Sequence, residues 1–367
     1  MGDDGRSPVS RWRVAYHMIK LGERISALEV AAAYLLLVFY ARSATFFPLF
    51  SLNAIVQVCI FTIVCQIPLY VTGKLAFVDL AWPIGLVTLA SNCFFYGVGW
   101  LPRRYLATGC LLFHGGRMAL GAAYLFFPYT FLQGDLSRYQ FAKKRYLREG
   151  MPPQWWWLKA QQETLTQCLA NCVLLAGPFY VLASDPTPHF RVLELAGFAV
   201  WGLGSLYENI ADAQKNLFLL SCKRAAESGE AERRAAKSAV LGMAPYDGWR
   251  YCLWTWSRHP NYGGELLCWL GFAVAPMGSI AWIAQTEGIA TGLVLLMNCW
   301  LVVRFFYDCL VHWTGSGPAE QSSVEKRPRY REYQVKTPVL IPFKVPMLSS
   351  YQVAGWPLQR KDDAKNE

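Results

Sequence analysis

The chain has 367 residues, of which 54% are hydrophobic and 15% aromatic, while only 16% are charged. A soluble domain carries about a quarter charged residues, so this composition and a mean hydropathy of +0.21 exclude an ordinary soluble protein and predict a polytopic membrane protein. The net charge of +10 does not predict nucleic-acid binding, because the basic residues collect in loops between apolar segments and not on one patch.

Apolar stretches predict about eight transmembrane helices, within a range of seven to nine: Ile25–Phe47, Phe50–Val71, Phe77–Val98, Tyr105–Pro128, Gln167–Ala183, Val192–Ala211, Gly264–Gln285 and Ile289–Val311. The first is the weakest, with Arg42 inside it. Residues 1–24 precede these spans as a cytosolic segment without an apolar h-region, so no cleaved signal peptide is expected. Residues 25–345 form a single membrane-embedded domain, and residues 346–367 form a cytosolic, partly disordered tail. The eleven cysteines show no metal-type pair and lie mostly in apolar runs, as small buried hydrophobes.

Basic residues set the expected topology. Arg138, Lys143, Lys144, Arg145, Arg148 and Lys159 follow the fourth span, Lys215 to Arg258 follow the sixth, and Lys326 to Lys344 follow the last. The Ser184–Arg191 and Thr286–Gly288 connections are nearly free of positive charge. Both termini are therefore expected in the cytosol. Arg103 and Arg104 stand on the opposite side and break this pattern. Residues 221–242, after the sixth span, carry an Ala/Glu/Arg/Lys composition that predicts a solvated surface insertion.

Ionisable residues inside or beside spans are candidate functional groups. Asp79 opens the third span, with Trp82 and a kink at Pro83, and His114 and Arg117 lie within the fourth. An Asp79–Arg117 ion pair would tie two helices together; alternatively, Asp79 acts as an acid near a lipidic substrate. Glu208, Asp212 and Lys215 recur at helical spacing at the end of the sixth span. An Asp212–Lys215 pair accounts for two of them and leaves Glu208. Arg304, Asp308 and His312 repeat every four residues in the last span, where Arg304 pairs with Asp308 or reaches for the interface.

The densest cluster is Trp254-Thr-Trp-Ser-Arg-His-Pro-Asn-Tyr-Gly-Gly-Glu. Pro260 suits the first turn of a helix, which puts Asn261 and Glu265 one turn apart on one face. The free N–H groups of that turn, together with Arg258, predict an anion site for a phosphate-bearing cofactor. Interfacial anchoring of Arg258 and His259 among headgroups is the alternative.

In chain order, Val78-Asp79-x-x-Trp82-Pro83, Gly116-Arg117, Glu208-x-x-x-Asp212-x-Gln214-Lys215-x-x-Phe218, the Leu253 to Glu265 block, and Tyr333 with Leu340-Ile341-Pro342-Phe343 resemble the steroid 5α-reductase family. The likeness runs from about Leu52 to Phe343 and is strongest in the bacterial and protist branch of unassigned substrate; sterol C14-reductases share the Arg-His-Pro-Asn-Tyr block. The resemblance implies an all-helical membrane reductase of the endoplasmic reticulum with a cofactor pocket at its cytosolic helix ends. It implies NADPH as cofactor, a steroid- or lipid-like substrate, no metal, and hydride addition to a C=C bond conjugated to a carbonyl. Cofactor contacts carry over to Asp212, Asn261, Glu265, Arg304 and Tyr333, and the same motifs bring in Lys215, Arg258, His259 and Tyr262, together with Glu208, which stands where the steroid enzymes have an asparagine. Asp79 is the expected acid.

The chain also departs from that pattern. Leu219 stands where a basic residue normally follows the aromatic of Gln-Lys-x-x-Phe, with Lys223 and Arg224 a turn later. The loop from Cys222 to Gly242 is longer than usual, and Cys252 replaces a glycine before Leu-Trp. Two other readings stay open. One is a membrane methyltransferase using S-adenosylmethionine, of the isoprenylcysteine carboxyl methyltransferase type, which has a related Arg-His-Pro-x-Tyr block. The other is a lipid- or sterol-binding membrane protein without catalysis.

Overall fold

The computed structural model describes residues 27–127, 134–148 and 150–340. The N-terminal segment, the first two residues of the first predicted span, the Ile-Pro-Phe part of the tail motif and the C-terminal tail lie outside the described residues. All regular structure among the described residues is helical. Among the described residues, five helical segments are long and apolar enough to cross a bilayer: Phe47–Thr72, Leu75–Tyr96, Pro153–Ser184, Pro260–Glu287 and Ile289–Lys326. We label these α2, α3, α6, α10 and α11. Three further predicted spans are also helices, α1 (Ala27–Arg42), α4 (Leu101–Leu125) and α7 (Val192–Ser228). They are either shorter or richer in polar residues than the five.

The differences from the predicted boundaries have local causes. The first span stops at Arg42, and a new helix starts at Phe47 with Pro48 in its first turn, where a proline costs no hydrogen bond. Helix α7 runs well past the apolar stretch, through Lys223 and Arg224 to Ser228, because the Ala/Glu/Arg/Lys composition of that region favours helix as strongly as the apolar part does. A second piece of the insertion forms α8 (Glu230–Ser238), with no buried residue. A solvated face is what its composition predicts.

The chain divides into two compact units, one built from residues up to Phe198 together with Phe272–Val302, the other from Ala199–Gly271 and Val303 onward. In the first unit, apolar helices are tied by a buried polar network. A π-turn at Ala170–Leu174 inside α6 leaves carbonyls without their usual helical donors, and side chains supply them. Asn53 donates to Asn171 O, Tyr180 to Cys172 O, and Asn298 to Leu174 O at 2.9–3.2 Å. Tyr40 donates in turn to Asn298 Oδ1 at 2.7 Å. In an apolar environment an unmet carbonyl costs several kcal/mol, roughly, so these amides let the π-turn persist there. Gly85 is required beside this network, since a Cβ there would lie 2.3 Å from Gln57 Oε1.

The two arginines that break the charge pattern belong to this unit. Arg103 is fully buried. Its Nε donates to Glu194 at 3.0 Å, and its other nitrogens donate to the carbonyls of Asp185, Thr187 and His189. Arg191 joins the cluster, bonded to Asp185 and, at 3.0 Å, to Glu194. Arg104 donates to the carbonyls of Phe94 and Gly97 at the end of α3. Neither arginine is a free surface charge of the kind that the topology rule counts.

Candidate functional site

The second unit holds most of the predicted site residues. Helix α10 begins at Pro260, as its sequence predicts. The residues before it lie against the chain after α13 (Tyr330–Lys336): the N–H groups of Arg258 and His259 donate to the carbonyls of Pro338 and Val339, and Ser257 Oγ also donates to Val339 O. This short backbone contact fixes the first turn of α10.

Helices α7 and α10 then cross where glycines replace side chains. A Cβ on Gly264 would lie 2.6 Å from Glu208 Cβ, and one on Gly204 would lie 2.8 Å from the backbone N of Cys268. That close approach brings Asp212 within reach of Asn261, whose Nδ2 donates to Asp212 Oδ1 at 3.1 Å. Asn261 Oδ1 is buried and receives no hydrogen bond among the described residues. Lys215, one turn further along α7, places Nζ 5.8 Å from the Trp254 ring centroid. Glu208 and Glu265 are buried, and Glu265 accepts from Trp269 Nε1 at 2.8 Å. Trp269 stacks on Phe306 at 4.2 Å, near Arg304, which pairs with Asp308 at 2.9 Å as its spacing allows.

Arg258 has a different place from the one expected. It is 1% exposed, and its guanidinium donates to Glu320 Oε1 at 2.7 Å and to the carbonyls of Gln334 and Thr337. A guanidinium with this many acceptors is committed to the protein and does not form the anion site predicted at the helix start. The headgroup-anchoring alternative is excluded for the same reason. His259 Nε2 lies 2.9 Å from the same Glu320 oxygen, and its ring stacks on Tyr262 at 5.0 Å. Burial, the largest influence, lowers the His259 pKa below 6.5, and the neighbouring Arg258 and Lys215 charges act in the same direction against Glu320.

Several motif residues are architectural. Gln214 accepts from Leu253 N at 3.2 Å, Trp254 Nε1 donates to Ala211 O at 3.0 Å, and Phe218 packs with Leu253 and Trp254 in one buried cluster. The Tyr333 hydroxyl is buried against the Trp254 and Ser257 carbonyls, and burial pushes its pKa up. It therefore holds the Trp254–Ser257 turn as a protonated donor. Sequence reading missed Glu320 and Gln334. Their partner Arg258 is 62 residues away from Glu320 along the chain, and no local spacing signals such a pair.

In the first unit, Asp79 accepts hydrogen bonds from Arg138 and Tyr139, on α5 (Ser137–Arg148). Asp135 answers from the same loop, accepting from the N–H groups of Leu75 and Ala76 at 2.9 Å. Each segment thus offers one carboxylate to the donors of the other. Burial, and after it the Asp79 charge, raises the Tyr139 pKa, so Tyr139 meets Asp79 as a protonated donor.

Residues 67–337 match the family model described as "Protein of unknown function (DUF1295)". The chain belongs to the DUF1295 family. The matched segment contains Asp79, the α7 and α10 residues and Glu320, so both sites fall within the DUF1295 region. No curated protein matches the chain, and no solved structure matches it.

Proposed function

We propose that this DUF1295 protein is an integral-membrane reductase of the endoplasmic reticulum, with both termini cytosolic, that uses NADPH to reduce a C=C bond conjugated to a carbonyl in a steroid- or lipid-like substrate. The Asp212–Asn261 pair carries the reading. Its hydrogen bond at 3.1 Å orients the Asn261 amide, and the buried Oδ1 without a donor suits the N–H or O–H groups of a nucleotide. The DUF1295 family also falls within the broader steroid 5α-reductase-like grouping.

The fit differs by residue. Asp212, Asn261 and exposed Lys215 would hold NADPH, whose chemistry is to supply a hydride. Glu208, Glu265 and Arg304 shape the surrounding helix faces through the Gly264 crossing, the Trp269 bond and the Asp308 pair. Arg258 and Tyr333 position backbone. Asp79, held by Tyr139 and Arg138, is the candidate acid for the carbonyl side of the reaction.

Thermal stabilisation of the detergent-purified chain tests the reading. A ligand at one hundred times its dissociation constant stabilises by about 2.7 kcal/mol. Stabilisation by NADPH and not by S-adenosylmethionine is expected. The reverse response makes the chain a methyltransferase, and no response to either leaves a lipid-binding protein.

A further inference from the structure

We infer that Glu320 commits His259 to its neutral Nε2–H form, so that the nucleotide meets His259 Nδ1 as a hydrogen-bond acceptor and not as a cation. This rests on the NADPH reading and specifies the chemistry of one edge of that site.

The geometry around Glu320 carries the argument. The carboxylate is 2% exposed and has three donors: Arg258 Nε at 2.7 Å and His259 Nε2 at 2.9 Å on Oε1, and Gln334 Nε2 at 2.7 Å on Oε2. Arg258 is permanently charged, so the Arg258–Glu320 pair is already neutral. A proton on His259 would leave one uncompensated positive charge in a buried cluster, where such charge is costly. Lys215 on α7 adds a second positive charge that acts on the ring. The charged and titratable groups around His259 are therefore Glu320 on the Ser316–Lys326 helix, Lys215 on α7, and Arg258 and Tyr262 on its own segment. Only Glu320 favours the imidazolium, and Arg258 already neutralises it.

The ring is also fixed in direction. Tyr262 covers one face at an interplanar angle of 5°, and the His259 N–H is bonded to Val339 O at 3.0 Å. With Nε2–H given to Glu320, the tautomer leaves a lone pair on Nδ1. A ribose hydroxyl or a carboxamide N–H suits that lone pair; a phosphate oxygen does not. Preference for NADPH over NADH then does not arise from Arg258 or His259, although both belong to the Arg-His-Pro-Asn-Tyr block.

The test measures NADPH affinity of the full-length protein from about pH 8 to about pH 6, for wild type and His259→Gln. The glutamine amide keeps a donor for Glu320 and an oxygen acceptor but does not titrate. Taking the ratio of the two affinities cancels the titration of the 2′-phosphate. The ratio should stay near one and level down to about pH 6, since a neutral ring and a glutamine both keep the acceptor, whereas His259→Leu, which has none, should bind about tenfold more weakly. Wild type tightening on acidification, as an imidazolium–phosphate contact would, or His259→Leu binding as tightly as wild type, overturns the inference. Should His259→Gln fail to fold, calorimetry of wild type in two buffers of different ionisation enthalpy decides. At about pH 8, where the 2′-phosphate is ionised, no proton uptake on NADPH binding is expected, and uptake overturns the inference. Wild type that binds no NADPH at any pH instead removes the reductase reading and this inference with it, a result distinct from binding that tightens on acidification.

Discussion

Arg258 and Glu320 form a buried ion pair at 2.7 Å, with side chains 1% and 2% exposed. Removing one member strands the other, which costs about 3–5 kcal/mol. Arg258→Met and Glu320→Leu should each destabilise the purified protein by that amount in denaturation experiments. The double variant should lose less than the sum, because no charge is left unpaired. Additive losses would show that the two residues act independently.

Asn261→Ala removes both the donor to Asp212 and the buried Oδ1. With each hydrogen bond worth about 1 kcal/mol, NADPH should bind about tenfold more weakly or worse, while the melting midpoint without ligand stays near wild type. Unchanged affinity removes the core of the proposed site.

The crossing of α7 and α10 allows a paired test on glycine. Gly264→Ala drives a Cβ to 2.6–2.8 Å from Glu208 and should cost about 1–3 kcal/mol. Gly202→Ala, with nothing within 4 Å of the new Cβ, should be neutral or stabilising by up to about 1 kcal/mol. Thermal melts of the two variants compare them directly.

The Arg103 cluster gives a pH dependence. Burial would raise the Asp185 carboxyl, but hydrogen bonds from Ser279, Arg191 and Thr187 outweigh it and hold the pKa below 3.8. The unfolded chain therefore binds the proton more readily than the folded one. This contribution to stability is present above about pH 4 and is lost as pH falls through the folded value. Melting midpoints of wild type should drop over that acidic range more than those of Asp185→Asn; parallel curves would show that Asp185 does not contribute.

Tyr139→Phe leaves Asp79 with one donor fewer and should destabilise the docking of the 134–139 loop by about 1–3 kcal/mol. Hydrogen exchange at Leu75 and Ala76, which donate to Asp135, should quicken with it. Exchange at Gly99, in the distant loop after α3, should not change.

Legibility from the sequence followed distance along the chain. Helices were readable because twenty apolar residues announce themselves locally, and the Arg304–Asp308 pair was readable because its members are four residues apart. The meeting of Asp212 with Asn261 was legible only as two motifs on separate helices; the glycine crossing that joins them is a property of packing. Arg103 and Arg258 were not placed by the sequence for one reason: charge predicts an exposed or ligand-binding residue until a remote carboxylate is known. Boundaries shifted at α7 for another, since hydropathy ends at the membrane edge while helix propensity continues past it.

The Arg103–Glu194 bond also orders the birth of the first unit. Glu194 follows Arg103 by 91 residues. At about 5–20 residues per second, roughly 5 to 18 seconds of synthesis separate the two side chains. During that interval the nascent chain must keep the Arg103 guanidinium in water or among headgroups. The end of α4 that carries it can settle only once the start of α7 has emerged, so closure of this cluster is a late event in the assembly of its unit.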